Sequence, residues 1–336
     1  MLTFDSAYKE ALTWVEGAKG KKISLLLGNG FSMAYDRNRF SFTNLLDTAR
    51  SIGIIPEGSP LSRLFTNLQT ADFEKVIKTL TEGKIVAQSY MAPFNTTQID
   101  EDIVALKEHL VTTITNNHPE LPNEIKEEQL TSCSEFLNKF DKIYSLNYDL
   151  LVYWVIMQRN LLKFVDGFGT DVDDVDAEHV VYVGNTHNLF YLHGALHLFD
   201  VGTETIKLTY SRTNTRLKEQ VQQHLKEDIF PVFISEGTHD EKLTKIRHNY
   251  YLNSCYKSLK SQSGVLFIFG TALKSNDEHI RKAIVEGKFE RVYIGVWSEE
   301  DARAAELLKV DIESDEKRPG RIVTLFDSKT VNPWGI

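Results

Sequence analysis

The feature that most constrains this chain is a set of six short, nearly unbroken apolar runs. They are Ile23–Leu27, Lys142–Leu146, Leu189–Leu192, Val265–Phe269, Arg291–Val296 and Arg321–Phe326. A strand with one solvated face alternates apolar and polar residues; runs such as "ISLLL" and "VLFIF" do not. They fit strands buried on both faces of a parallel sheet. Helical patterns, "EHIRKAIVEG" and "SEEDARAAELLKV" among them, lie between several of the runs.

The expected fold is therefore α/β: an open, mostly parallel, Rossmann-like sheet with helices on both faces. The chain of 336 residues is read as a single domain, 1–336, with two insertions. More than a hundred residues separate the first two runs. They hold the helical patterns "DFEKVIKTLTEGKIVAQSYM" and "IDEDIVALKEHLVTTITNN" and predict a helical insertion at 52–130. A second insertion is expected at 200–263. The first residues read as a short amphipathic helix whose stripe of Leu2, Phe4, Tyr8, Leu12 and Val15 packs on the core. The acidic stretch "DGFGTDVDDVDAEH", 166–179, reads as a solvated loop. It lacks the closing Glu and the sixth-position Gly of an EF-hand.

Composition excludes several classes. Net charge is −9, with no long Lys/Arg run. Nucleic-acid binding is therefore not expected, since it needs clustered cations to displace phosphate counterions. The two cysteines, Cys133 and Cys255, form no CxxC pair, so a four-cysteine zinc module is excluded. They suit a reducing cytoplasm. No apolar stretch reaches the roughly 20 residues that cross a bilayer.

Polar and glycine residues follow four of the runs. Gly28-Asn29-Gly30-Phe31-Ser32 closes the first. Glycines before a helix allow backbone N–H groups to approach a phosphate. Met33 stands where the dinucleotide fingerprint has its third Gly or Ala, so a phosphate loop and a plain tight turn both fit. Asn147 and Asp149 follow the second run, two apart, where extended backbone points both side chains the same way. Together they donate and accept, which suits ribose hydroxyls and an amide; helix capping is the rival reading. His193 precedes Gly194 after the third run and suits a general base or a buried, backbone-bonded ring. Gly270 and Thr271 follow the fourth. Beyond them, Ser275, Asn276 and Asp277 are N-cap types, and Asp277 and His279 are expected to be capping and surface residues. No metal is expected. His193 and His197 are four apart with His187 upstream, but no Glu follows His193 and Gly194 disfavours a helix.

The order GxGxS, N-x-D, HG, GT resembles the sirtuin family and its bacterial sirtuin-like relatives. The segments concerned are Gly28 to Ser32, Asn147 to Asp149, His193-Gly194 and Gly270-Thr271. The resemblance covers about half of the chain. It lacks the family's four-cysteine module and its "PDFR" segment, and Ala272 replaces the last Ser of GTS. It implies NAD as substrate and, from the zinc-free NAD-cleaving defence branch, hydrolysis to nicotinamide and ADP-ribose. In that reading Asn147, His193 and Asp149 are catalytic. Gly28, Asn29, Gly30, Phe31, Ser32, Asp149, Gly270 and Thr271 hold the nucleotide. The alternatives are an NAD or ADP-ribose sensor without catalysis and an NAD-dependent deacylase or ADP-ribosyltransferase. A homo-oligomer or an activating protein is the partner such a relative would have.

Overall fold

The computed structural model describes residues 1–336 except 41–44, 71–72, 92, 117–118, 120, 170–178, 185, 210–215, 228, 235–238 and 275–276. Its strands in chain order are β1 (Leu2–Thr3), β2 (Ile23–Leu27), β3 (Lys142–Ser145), β4 (Phe168–Gly169), β5 (His179–Tyr182) and β6 (Leu189–Tyr191). They continue with β7 (Gly194–Asp200), β8 (Thr205–Leu208), β9 (Pro231–Phe233), β10 (Ser263–Phe269), β11 (Lys288–Val296) and β12 (Ile322–Asp327).

All six apolar runs become strands of one sheet, ordered β1-β12-β11-β10-β2-β3-β6. Every pairing in it is parallel. Each residue of β2 is buried, as are the last six of β10. Two-sided burial is thus why these strands lack alternation. Phe267, mid-β10, lies parallel to Tyr293 of β11 at 4.6 Å and meets Phe4, Tyr8, Phe140 and Phe326. Helices Glu278–Val285 and Glu299–Glu313 connect β10, β11 and β12. The second of these starts at a Ser298/Asp301 capping box, which satisfies two otherwise free N–H groups.

The strand order reverses between β2 and β10. From β2 the chain builds outward through β3 and β6; from β10 it builds the other way through β11 and β12. Ligands of such sheets bind beyond the carboxyl ends of the strands at that switch point.

A second sheet, antiparallel, was not foreseen from the sequence. Its order is β4-β5-β8-β7-β9, and it draws strands from both sides of residue 200. Leu189–Tyr191 ends the parallel sheet, and Gly194 turns the chain into β7 with a positive φ of 76°. Short strands around that turn carried no clear period, so pairing alone defines them.

Two local expectations need correction in part. Of the expected first stripe, Phe4 is buried and Leu2, Tyr8 and Val15 pack on the core, but Leu12 is exposed. The helix, Phe4–Gly17, also buries the small residues Ala7 and Ala11. The stretch 166–179 does not begin as a solvated loop. Asp166 is half-buried in an ion pair with Lys207, and Phe168 enters β4; residues 170–178 lie outside the described residues. No helix among the described residues is long and apolar enough to cross a membrane.

Candidate functional site

The four singled-out segments emerge from the adjacent strands β10, β2, β3 and β6, all at their carboxyl ends. Parallel pairing makes this so: strands that run the same way end on the same edge.

The glycine loops of β2 and β10 touch at the switch point. Gly28 N–H donates to Phe269 O and Gly30 N–H to Gly270 O. A Cβ on Gly30 would lie 2.6 Å from Gly270 Cα, and one on Gly28 would lie 2.4 Å from Thr271 Cβ. Gly270 itself has φ +77°. The glycines are therefore required by loop-on-loop contact, whatever else the loops hold. Leu273, three residues on, is buried with φ 46°, a left-handed conformation that costs an L-residue about 1–2 kcal/mol. Its N–H is held by Thr271 Oγ1.

Behind the loop, Ser32, Asn147 and Asp149 form one buried polar cluster. Ser32 donates its hydroxyl to Asp149 Oδ2. Asn147 Nδ2 donates to Ser32 Oγ at 2.9 Å and to Gly28 O at 3.1 Å. Asp149 Oδ1 accepts from Leu151 N at 2.9 Å. Asp149 thus precedes the N-cap residue Leu150 and takes up the first N–H of helix Leu151–Gln158, while Asn147 takes no part in capping it. Burial pushes the Asp149 carboxyl above its ordinary range, against the Ser32 and Leu151 donors, which lower it. Asn29 turns away and donates to Phe40 O.

His193 leaves β6 beside this cluster. Its carbonyl accepts from Ile234 N at 2.7 Å, which fixes the backbone. Its Nε2 lies 2.9 Å from Nε2 of His279, and the ring centroids are 5.1 Å apart. Burial holds both imidazoles neutral and pushes their pKa values down to about 3. A hydrogen bond to the Leu146 backbone works the other way for His193. A bond that favours the charged ring is one the ring donates. We therefore assign the His193 proton to Nδ1, which leaves Nε2 as acceptor of the His279 N–H.

His279 is a correction: it is fully buried, not a surface residue. Asp277 occupies the N-cap position of helix Glu278–Val285 but makes no side-chain cap bond. Its carboxylate instead lies 4.0 Å from His193 Nε2 and 3.3 Å from the buried Lys242 ammonium. Ser275 and Asn276 lie outside the described residues. His197 stacks on Tyr153 from strand β7, so His193 and His197 share no helix, as Gly194 implied.

Three contributors were missed in the sequence. Trp334 donates its indole N–H to Phe31 O at 3.0 Å and packs on Phe31 and Tyr35. It clamps the helix Asn29–Tyr35 that carries Ser32. His279 and Lys242 are the others. A lone Trp in "NPWGI" or a His inside a helix pattern gives no signal of its partners. Only the rarity of Trp hinted at burial.

A search of curated proteins finds no match to the chain. Among solved structures the chain is similar to one described as a Sir2 mutant with a p53 peptide and NAD. The identity is 12%, the alignment covers 98% of this chain and 95% of that one, and the TM-score is 0.34. The model of one protein family, a domain of unknown function (DUF4917), matches residues 25–334. The chain belongs to the DUF4917 family.

Proposed function

We propose that this protein binds NAD+ across the switch point and hydrolyses it to nicotinamide and ADP-ribose. The observation that supports this most is the buried Ser32–Asn147–Asp149 cluster, set beside the two touching glycine loops and followed by His193. Nicotinamide leaves as a neutral group from a cationic one. The protein need not protonate it; it must hold the ribose, exclude stray water and stabilise charge developing at the anomeric carbon. Asp149 accepts from the carboxamide and orients the ring. Asn147 holds ribose hydroxyls and places a water. His193 takes a proton through Nε2 once His279 yields that position. Gly28, Asn29, Gly30, Phe31 and Ser32 lie along the pyrophosphate, and Gly270 and Thr271 along the adenosine side. The two lone cysteines suit a reducing cytoplasm, and by the resemblance drawn from the sequence the role is NAD cleavage in anti-phage defence.

A binding or sensing role without chemistry is the second reading. It is favoured by one observation: the Nε2 of His193 is already engaged by His279, and Ser32, Asn147 and Asp149 already bond one another.

The test is nicotinamide release by the purified full chain, with Asn147→Ala and His193→Ala alongside. Hydrolysis that both substitutions depress supports the proposal. Activity indifferent to both overturns the residue roles, and NAD+ bound but unbroken transfers the assignment to the sensing reading.

A further inference from the structure

We propose that His193, His279 and Asp277 form a binding site for a divalent transition-metal ion of the zinc type. One ligand atom from each of the three lies within 4.8 Å of the others. Two are imidazole Nε2 atoms that face each other at 2.9 Å, and the third is a carboxylate oxygen 4.0 Å from one of them. Zinc–nitrogen bonds of about 2.0–2.1 Å in tetrahedral array place two such nitrogens roughly 3.3 Å apart. The rings need only open by a few tenths of an ångström, and Asp277 need only close on His193 by under about 1 Å. Two imidazoles, one carboxylate and an open position are the donor set of many divalent zinc and iron centres.

Asp277 supplies the second argument. An Asp at a helix N-cap ordinarily bonds the free N–H groups of the first turn, worth about 1 kcal/mol. Asp277 forgoes that bond and faces the histidines and Lys242. Lys242 Nζ, 3.3 Å from Asp277 Oδ1 and buried, is the resident cation. A metal ion competes with it for the same oxygen. Ligation also moves the His279 proton from Nε2 to Nδ1, the ring atom that is buried without a hydrogen-bond partner. No group gains or loses a proton overall.

The ion takes the His193 nitrogen that NAD hydrolysis would use, so bound metal and that chemistry exclude one another. The metal inference does not rest on NAD, and its test contains no nucleotide. A failed nicotinamide-release assay leaves it standing.

The experiment is calorimetric titration of Zn2+ into chelator-treated full-length protein, with Co2+ absorption as a second readout of coordination. One equivalent is expected to bind, with a visible cobalt band. His279→Gln and Asp277→Asn should each weaken binding by at least about tenfold. Lys242→Met should tighten it, because the competing cation is gone. A misfolded variant cannot bind more tightly, so this arm separates ligation from structural damage. Absence of a stoichiometric Zn2+ site in the wild type overturns the inference. So does binding that none of the three substitutions changes.

Discussion

Ser32 and Asp149, 117 residues apart, share a buried hydrogen bond that joins the helix after β2 to the end of β3. The bond makes the glycine loop and the N-x-D segment one unit. Ser32→Ala leaves the carboxylate with the Leu151 N–H as its remaining donor and should cost about 1–3 kcal/mol. In urea unfolding, the Ser32→Ala/Asp149→Asn pair should be non-additive by about 0.5 kcal/mol or more. Additive losses would show that the two side chains act separately.

The same carboxyl gives a pH dependence. Its folded pKa is raised, so between the unfolded value near 3.9 and the folded one the native state holds more protons than the unfolded chain. Its contribution to stability is greatest at low pH and is lost as pH rises through the folded pKa. Asp149→Asn removes this loss. The stability of wild type relative to the variant should fall as pH is raised from about 4, measured by denaturant unfolding across pH. A gap that widens with rising pH would contradict the burial argument.

Gly270→Ala should be costly for two reasons. A Cβ would sit 2.7 Å from Phe31 N, and φ is +77°. Overpacking of about 1–3 kcal/mol adds to the left-handed strain of about 1–2 kcal/mol. Gly20→Ala, with φ +78° and nothing within 4 Å, carries the strain alone. Thermal melts of the two should separate the terms, with Gly270→Ala the lower in Tm. Equal losses would mean that the loops do not press on each other.

Trp334→Ala removes a fully buried indole and its bond to Phe31 O. A loss of about 3–5 kcal/mol is expected. Because the indole clamps the Ser32 helix, hydrogen exchange should rise in Asn29–Tyr35 before it rises in β11. Uniform change would make Trp334 a general core residue.

Cys133 and Cys255 are buried and unpaired, and burial pushes both thiols up, Cys255 to about 12. Only the thiolate attacks a disulfide reagent. Neither should react with such a reagent at pH 8 in the folded protein, and both should after denaturation. Fast labelling of the native chain would overturn this.

The parallel sheet was legible in the sequence because two-sided burial leaves a local mark: "ISLLL" and "VLFIF" cannot sit half in water. The placement of Gly28, Asn147, His193 and Gly270 at strand ends followed from the same runs. The antiparallel sheet was not legible, since short strands such as β4 and β9 owe their state to partners distant in sequence. Nor was the reason for the glycines. The sequence left phosphate loop and turn open, and only the packed structure brought Gly30 against Gly270. His279 read as a surface residue because a helix pattern tells which residues share a face, not which face meets a buried histidine 86 positions away. Local physics determined the elements and the edge on which the site lies. Tertiary contact alone decided which side chains on that edge hold one another, because those contacts join segments that sequence spacing does not relate.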